Sequence, residues 1–438
     1  MNIFSKPMSY RQFLKYLLPS ILTMIFLSFY TTIDGFFVSR YAGSDALAGI
    51  NIAIPITCVI FGTSVMLATG AGAIIGEHLG RKENKKANEI FSFISFVLLI
   101  FSIVFSIIGI VFLKPIAIFL GASERLMEHV LPYAFVIFAG TIPMAFKLFF
   151  EYLVRTDGNS KVGLKMSLIG LIFNVVLDYL FVAVFKLGTF GAALGTVISI
   201  CISAFIGLYY FLKNGNIKFC KPKFDFKILL KSCYNGSSEM LTELSTGITT
   251  LLFNIIIIKE LGEDGVAAVT IIMYIYYFFI AFYMGIAVAS APIVSYNLGA
   301  KNYQKIKEVL KYSFVTIGIT AFLIMIIIFV FGKSIIGLFA DSGNVFDLTL
   351  NALMYFSPVF LFIGLNVFMS GYFTALGDGL SSAIISILRS LIFVVIFILI
   401  LPKVIGINGI WLTMPLAEVS TIIISLFLYF KKGRTYIK

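Results

Sequence analysis

Charge is scarce in this chain. Of 438 residues, 12% are Asp, Glu, Lys or Arg and 60% are hydrophobic. Soluble domains carry about twice that charged fraction, so a water-soluble globule of this size is excluded. Histidine is rarer still: His78 and His129 are the only two, and they make no HExxH pair. The chain has no nucleophile elbow and no phosphate loop, which leaves enzyme chemistry little to build on. Its four cysteines, Cys58, Cys201, Cys220 and Cys233, follow neither a metal spacing nor a disulfide framework. The net charge of +12 is spread along the chain. With no basic domain to carry it, nucleic acid is not an expected partner.

What the chain has in excess is long apolar runs. Mean hydropathy is +1.03, and runs of about 20 residues, enough to cross a bilayer as a helix, recur from end to end. They place twelve spans near 13–38, 46–77, 90–113, 130–153, 163–185, 189–212, 234–258, 265–296, 309–331, 349–375, 380–400 and 409–430. The first run outlasts a signal-peptide core and ends in no A-x-A-like site, so it reads as an uncleaved span. The fold class is therefore an all-α polytopic membrane protein.

The cations set the orientation. With both termini in the cytoplasm, inner segments hold 24 of the 33 Lys and Arg residues. These include Arg155, Arg434 and Lys438, and also Lys213, Lys218, Lys221, Lys223, Lys227 and Lys231 of a linker read as solvated. Outer loops hold 7, and Lys147 and Arg389 fall inside spans. Basic residues collect on the cytoplasmic side, so a plasma-membrane protein with both termini inside is expected.

The sequence also repeats. "HLGRKENKKANEI" (78–90) matches "NLGAKNYQKIKEV" (297–309), and "AGSDALA" (42–48) matches "LGEDGVA" (261–267), each shifted by 219 positions. "TDGNS" (156–160) matches "GDGLS" (377–381) at a shift of 221, and "GTFGAALGT" (188–196) matches "GINGIWLTM" (406–414) at 218. Six spans per repeat is an even number, so the halves enter the membrane in the same sense, related by an axis along its normal. The expected organisation is an N-terminal lobe 1–212 with spans one to six, a cytoplasmic linker 213–233, and a C-terminal lobe 234–438 with spans seven to twelve.

The repeat supplies an internal control on the few intramembrane polar groups. Asp34 corresponds to Phe253, Asn174 to Val395 and Asp178 to Leu399. The second half folds without these groups, so the bundle does not require them. A carboxylate at the bilayer centre costs on the order of 3 kcal/mol and marks an ion or substrate path. Asn174 and Asp178 are i and i+4 on one helix face, as are Tyr30 and Asp34. The residues admit two readings, a cation or proton site or hydrogen bonding between helices. Glu239 and Glu243 share a face of span seven, and Arg389 and Glu418 lie mid-membrane in spans eleven and twelve. Arg389 has Glu418 or Glu243 as candidate partners. Tyr30, Glu239, Glu243 and Glu418 are candidate substrate contacts. Lys147 and Glu151 (i, i+4) read as a structural pair, and "MYIYYFFIAFYMG" (273–285) as packing or as rings for a cation.

At this point a family resemblance enters. "LLPSILTMIFLSFYTTIDGFFVSRYAG" (17–43), with its early Pro19 and late Asp34, resembles the first helix of the multidrug and toxic compound extrusion (MATE) family. "NVVLD" (174–178) resembles that family's fifth-helix Asn-x-x-x-Asp, and the bacterial MepA-like branch is the most similar. The resemblance covers nearly the whole chain. It implies two pseudo-symmetric six-helix bundles and secondary export of cationic amphiphilic drugs in exchange for H⁺ or Na⁺. It implies no further cofactor, and a monomer is expected. Asp34, Asn174, Asp178 and Thr196 would form the cation site, including for Na⁺, with Pro19 a hinge in the first helix. Ser39 departs from the family's usual glycine. Span ten lacks an acid, against a second-lobe Na⁺ site built on spans seven and ten. The rival from the same architecture is a lipid-linked-precursor flippase, which would need a basic cavity for pyrophosphate.

Overall fold

The computed structural model describes residues 3–340 and 343–433, without the side chains of residues 3, 31, 32, 36, 39, 44 and 263. Arg434, Lys438 and the Ser39 side chain lie outside the described residues. Apolar residues all round each helix leave the backbone no water to bond, so every span satisfies its own N–H and C=O groups as a helix. Among the described residues ten unbroken helices are long and apolar enough to cross a membrane: α1 (Tyr10–Tyr41), α2 (Ser44–Gly80), α3 (Asn84–Val111), α5 (Ser160–Val184), α6 (Gly188–Lys213), α7 (Phe226–Gly262), α8 (Asp264–Gly299), α9 (Tyr303–Ile336), α11 (Gly379–Ile405) and α12 (Asn408–Gly433). Two more are bent. α4 joins Glu124–Ala139 to Thr141–Thr156 at 56°, and α10 joins Asn344–Phe356 to Val359–Ala375 at 53°. The breaks fall at Gly140 and at Ser357–Pro358, where glycine and proline weaken the helical ladder. Most of these helices run a few residues beyond the apolar runs at one or both ends.

The repeat is visible in the backbone. Gly43 and Gly262 have φ of 90° and 64°, Lys82 and Lys301 of 62° and 56°, and Gly188 and Gly406 of 57° and 65°. Positive φ is uncommon in a lysine, so the matched pair marks one turn geometry used twice. At the lysine-rich face, α2 and the end of α8 pack backbone to backbone. A Cβ on Gly80 would lie 1.9 Å from the Tyr296 carbonyl oxygen, and one on Gly299 would lie 1.9 Å from that of Glu77. Gly70 and Gly236 make the same kind of approach to Ser232 and Met66. Only glycine permits a seam this tight.

Two expectations about cations change. Arg155, counted above with the inner flanking charges, is fully buried in the bundle. The 213–233 segment is not a free solvated linker throughout. The Asp157 carboxylate accepts from Tyr210 at 2.6 Å and from the backbone N–H groups of Asn216 and Ile217, both at 2.9 Å. Burial pushes the Asp157 carboxyl up, and these donors act against the shift. Further along, Lys218 N–H donates to Asn88 and Cys220 N–H to Ser92, while the Phe219 and Phe224 rings pack tilted and edge-on against α3 rings. The first half of the linker is strapped to α3, α4 and α6.

Candidate cation and substrate site

Three helices bring the first cluster together. α1 supplies Tyr30 and Asp34, α5 supplies Asn174 and Asp178, and α6 supplies Thr196. The amide Nδ2 of Asn174 donates to Asp34 Oδ1 at 2.9 Å and to Asp178 Oδ2 at 3.3 Å. The Thr196 hydroxyl donates to Asp34 Oδ2 at 3.2 Å. Tyr30 OH donates to the Thr196 carbonyl at 3.2 Å and lies 2.7 Å from Ser199 Oγ. Asn174 and Asp178 are buried, whereas Asp34 is half-buried and lines a cavity. Asp34 is thus the member that a ligand meets first.

Local structure makes room for this. A Cβ on Gly195 would lie 2.4 Å from Asp178 Oδ1, so the carboxylate fits only because position 195 has no side chain. Immediately after Asp178 the helix widens into a π turn at Tyr179–Val184, a feature frequent at functional sites. Two oxygens, Asn174 Oδ1 and Asp178 Oδ1, are buried without a hydrogen-bond partner. Buried oxygens without donors are costly. Two carboxylates held by one amide in a dry site also repel, and one proton or cation between them removes that repulsion. An all-oxygen set suits H⁺ or Na⁺ as cargo and not a soft metal. Among the described residues no three of His, Cys, Asp and Glu gather as a metal group.

Pro19 sits inside α1, and its carbonyl accepts from the Thr23 hydroxyl at 2.8 Å. Lys147 Nζ lies 2.6 Å from Glu151 Oε2, and Arg155 donates to Glu151 Oε1 at 3.2 Å. Arg155 Nε also reaches Ser20 of α1 at 3.3 Å. In the second half, Arg389 Nε donates to Glu418 Oε1 at 3.2 Å. The other Glu418 oxygen accepts from Asn366 Nδ2 at 2.7 Å, and Ser425 holds Asn366 Oδ1 at 2.8 Å. Of the two candidate partners it is Glu418 that Arg389 meets.

The remaining acids face space. A cavity of about 480 Å³ is lined by Tyr30, Asp34, Thr196, Glu243 and the paired Lys147 and Glu151. An adjoining one of about 80 Å³ is lined by Glu239 and Arg389. Tyr152 and Met284 line both, so the two are neighbours. Glu418 lines neither and is 1% exposed. In the aromatic run, Tyr276, Phe279 and Tyr283 are buried in packing, and Tyr283 donates to the Phe360 carbonyl. Sequence reasoning did not find Gly195, Ser199, Asn366 or the burial of Arg155. Asn366 had a signal, as an amide within the apolar stretch of α10. Gly195 had none beyond a glycine among small residues.

Comparison with known proteins agrees with this architecture. The chain is 24% identical over 421 residues to the multidrug export protein MepA of Staphylococcus aureus, covering 95% of this chain and 92% of that protein. It is 23% identical to MepA of Staphylococcus saprophyticus over the same shares. Among solved structures, MATE in complex with MaL6 superposes with a TM-score of 0.90 at 22% identity, covering 97% of this chain and 95% of that one. An outward-facing multidrug resistance MATE family transporter superposes at 0.89 with the same identity and coverage. The pattern of the MatE family matches residues 19–180 and 240–400, most of the twelve-helix bundle and the whole Tyr30–Asp178 core of the site. This multi-pass membrane chain belongs to the MatE family of transporters.

Proposed function

We propose that the chain is a secondary exporter of cationic amphiphilic compounds, driven by entry of H⁺ or Na⁺ at Asp34, Asn174, Asp178 and Thr196. The observation that carries this reading is the oxygen cluster itself. Two carboxylates share one amide donor, two buried oxygens lack partners, and the cavity-facing carboxylate opens onto a space of drug size. A cation bound there and a cationic drug beside it compete, which is the coupling an antiporter needs. The multidrug export named for the MepA relatives supports the same substrate class.

In this proposal the moving bodies are the lobes 1–212 and 234–438, with 213–233 as the joint. The matched turns Gly43/Gly262 and Lys82/Lys301 support that division. The lysine-rich face is cytoplasmic, both termini lie inside, the host membrane is a bacterial plasma membrane, and the unit is a monomer. Tyr30, Glu239 and Glu243 touch drug, and Pro19 is the hinge of α1. No resident cofactor takes part. Cavity acids on both sides disfavour a pyrophosphate-carrying flippase.

The test is efflux from proteoliposomes under separately imposed gradients. A cationic dye should move against its gradient when H⁺ or Na⁺ is supplied on the opposite side, and the active ion names the coupling. Equal dye flux with and without either gradient would overturn the antiport reading.

A further inference from the structure

The first half is tied to the second before its first helix begins. Residues 3–9 precede α1, and Phe4 and Met8 among them are buried. The Phe4 ring stands between Tyr16 of α1 and Tyr296 of α8, with ring centroids 5.9 and 5.7 Å away. The Phe4 backbone carbonyl accepts from Asn297 Nδ2 at 3.3 Å. At the start of α1, Tyr10 OH lies 3.2 Å from Thr316 Oγ1 of α9, and the Tyr10 and Phe13 rings flank Tyr312 at 5.4 and 5.7 Å. This segment enters the first half but is held by α8 and α9 of the second.

The repeat contains its counterpart. The shift of 219 carries α3 onto α9 and Phe93 onto Tyr312. Phe224, just before α7, packs edge-on against Phe93 at 5.7 Å and Phe96 at 5.4 Å. Each half thus begins with an aromatic side chain anchored on the third helix of the other half. The two ties differ in strength. The linker is also held by the Asp157 carboxylate and by Asn88 and Ser92. Residues 3–8 have ring contacts and the Asn297 amide.

Two features suit residues 3–8 to release. First, α1 caps itself: the Ser9 hydroxyl accepts from Gln12 N–H at 3.4 Å, and Gln12 Oε1 accepts from Ser9 N–H at 2.9 Å. The helix start therefore needs nothing from the residues before it. Second, Asn297 Oδ1 is buried without a hydrogen-bond partner while Phe4 is in place. Water admitted when Phe4 leaves would satisfy that oxygen and offset part of the lost contact. The position also matters. Tyr296, against which Phe4 packs, is the residue whose carbonyl faces Gly80 at the seam of α2 and α8. Phe4 bears on the turn of α8 that seals the lysine-rich face.

We infer that residues 4–8 are a latch that holds the lysine-rich face closed, with Phe4 as its pin, and that the latch must leave α8 before the two halves part there. The inference rests on the moving-lobe reading above and adds a control point to it. When the halves separate at this face, α1 goes with the first and α8 with the second, so Phe4 cannot keep both Tyr16 and Tyr296. Its burial exists in the closed state alone and biases the equilibrium toward closure.

Two thiol probes on α2 read its two ends, in a background lacking Cys58, Cys201, Cys220 and Cys233. Ala73→Cys lines a cavity of about 340 Å³ at the lysine-rich face, together with Glu77, Arg81 and Lys301. Asn51→Cys lies in the first turns of α2 and lines the 480 Å³ cavity. Maleimide labelling of each is followed in purified full-length protein in detergent. Phe4→Ala should raise the Ala73→Cys rate roughly tenfold, since a buried ring is lost from one state alone. The Asn51→Cys rate should stay level or fall. An unchanged Ala73→Cys rate overturns the inference. So does an equal acceleration at both probes, which marks general loosening and not release of one face. Because labelling needs neither gradient nor dye, a protein whose probes respond as expected but which moves no dye would refute the export reading and leave the latch standing.

Discussion

Removing the Arg389 side chain tests how the second half balances its charges. Arg389 and Glu418 are 7% and 1% exposed, and their contact is a single Nε–Oε1 bond of 3.2 Å. In Arg389→Ala, Glu418 keeps its amide bond from Asn366 but loses its counter-charge. Breaking one partner of a buried pair costs about 3–5 kcal/mol, because the charge left behind is uncompensated. Unfolding entropy of about 2 cal/mol/K per residue converts that loss to a fall of about 3–5 °C in the melting temperature of a chain this long. The assay is thermal aggregation in detergent. Adding Glu418→Gln should recover most of the loss, since the neutral amide can still pair with Asn366. Adding Glu243→Gln should recover none, since Glu243 faces the other cavity. A double-mutant cycle then gives the coupling directly. An Arg389→Ala protein that melts with wild type, or an equal recovery from both second mutations, would refute the charge-balance reasoning.

Other outcomes are expected elsewhere. Asp34→Asn and Asp178→Asn should each abolish gradient-driven dye efflux while expressing and melting near wild type, because Phe253 and Leu399 show the fold tolerates neutral groups there; normal efflux by both would return these residues to helix packing. Gly195→Ala should cut coupled transport strongly, since the new Cβ meets Asp178 Oδ1 at 2.4 Å, and unchanged transport would show that Asp178 need not sit where it does. Gly80→Val should open the seam at the lysine-rich face, read as faster thiol labelling of an Ala73→Cys probe, because its Cβ would strike the Tyr296 carbonyl; unaltered labelling would mean that α2 and α8 do not form the seal. A Lys223→Cys probe in a background lacking Cys58, Cys201, Cys220 and Cys233 should react with an impermeant reagent only in permeabilised cells, and labelling of intact cells would invert the orientation.

How much of this was legible in the sequence follows from which forces are local. Twelve helices could be read because each apolar run must satisfy its own backbone in lipid, a constraint that acts within one segment. The bends in α4 and α10 could not, because glycine and proline permit a break without saying how neighbours will use it. Asn174 and Asp178 declared a shared face through their spacing. That Asp34 joins them across 140 positions depends on how α1 packs on α5, which no local pattern encodes. Arg155 misled for a related reason. Near the end of an apolar run it looks like a flanking charge, yet the helix end is packed in protein and not in water, and Glu151 and Ser20 receive it.

The comparison of the two halves bears on what the first-half polar groups are for. The same backbone, down to the left-handed turns at Lys82 and Lys301, is built once with Asp34, Lys147, Glu151, Arg155, Asn174 and Asp178 and once without any of them. Six ionisable or amide groups are therefore surplus to folding, and each carries a desolvation cost that the second half avoids. The second half has its own set, Glu239, Arg389 and Glu418, at places where the first half has Ser20, Leu168 and Ile200. There Arg389 closes on Glu418 and Asn366 closes on both Glu418 and Ser425, while Glu239 and Glu243 line the cavities. In the first half the charges do not match: two acids share one amide at one end, and two bases share one acid at the other. A network that closes on itself holds a structure. One left open beside a cavity, as at Asp34, has the form that the proposed cation exchange requires.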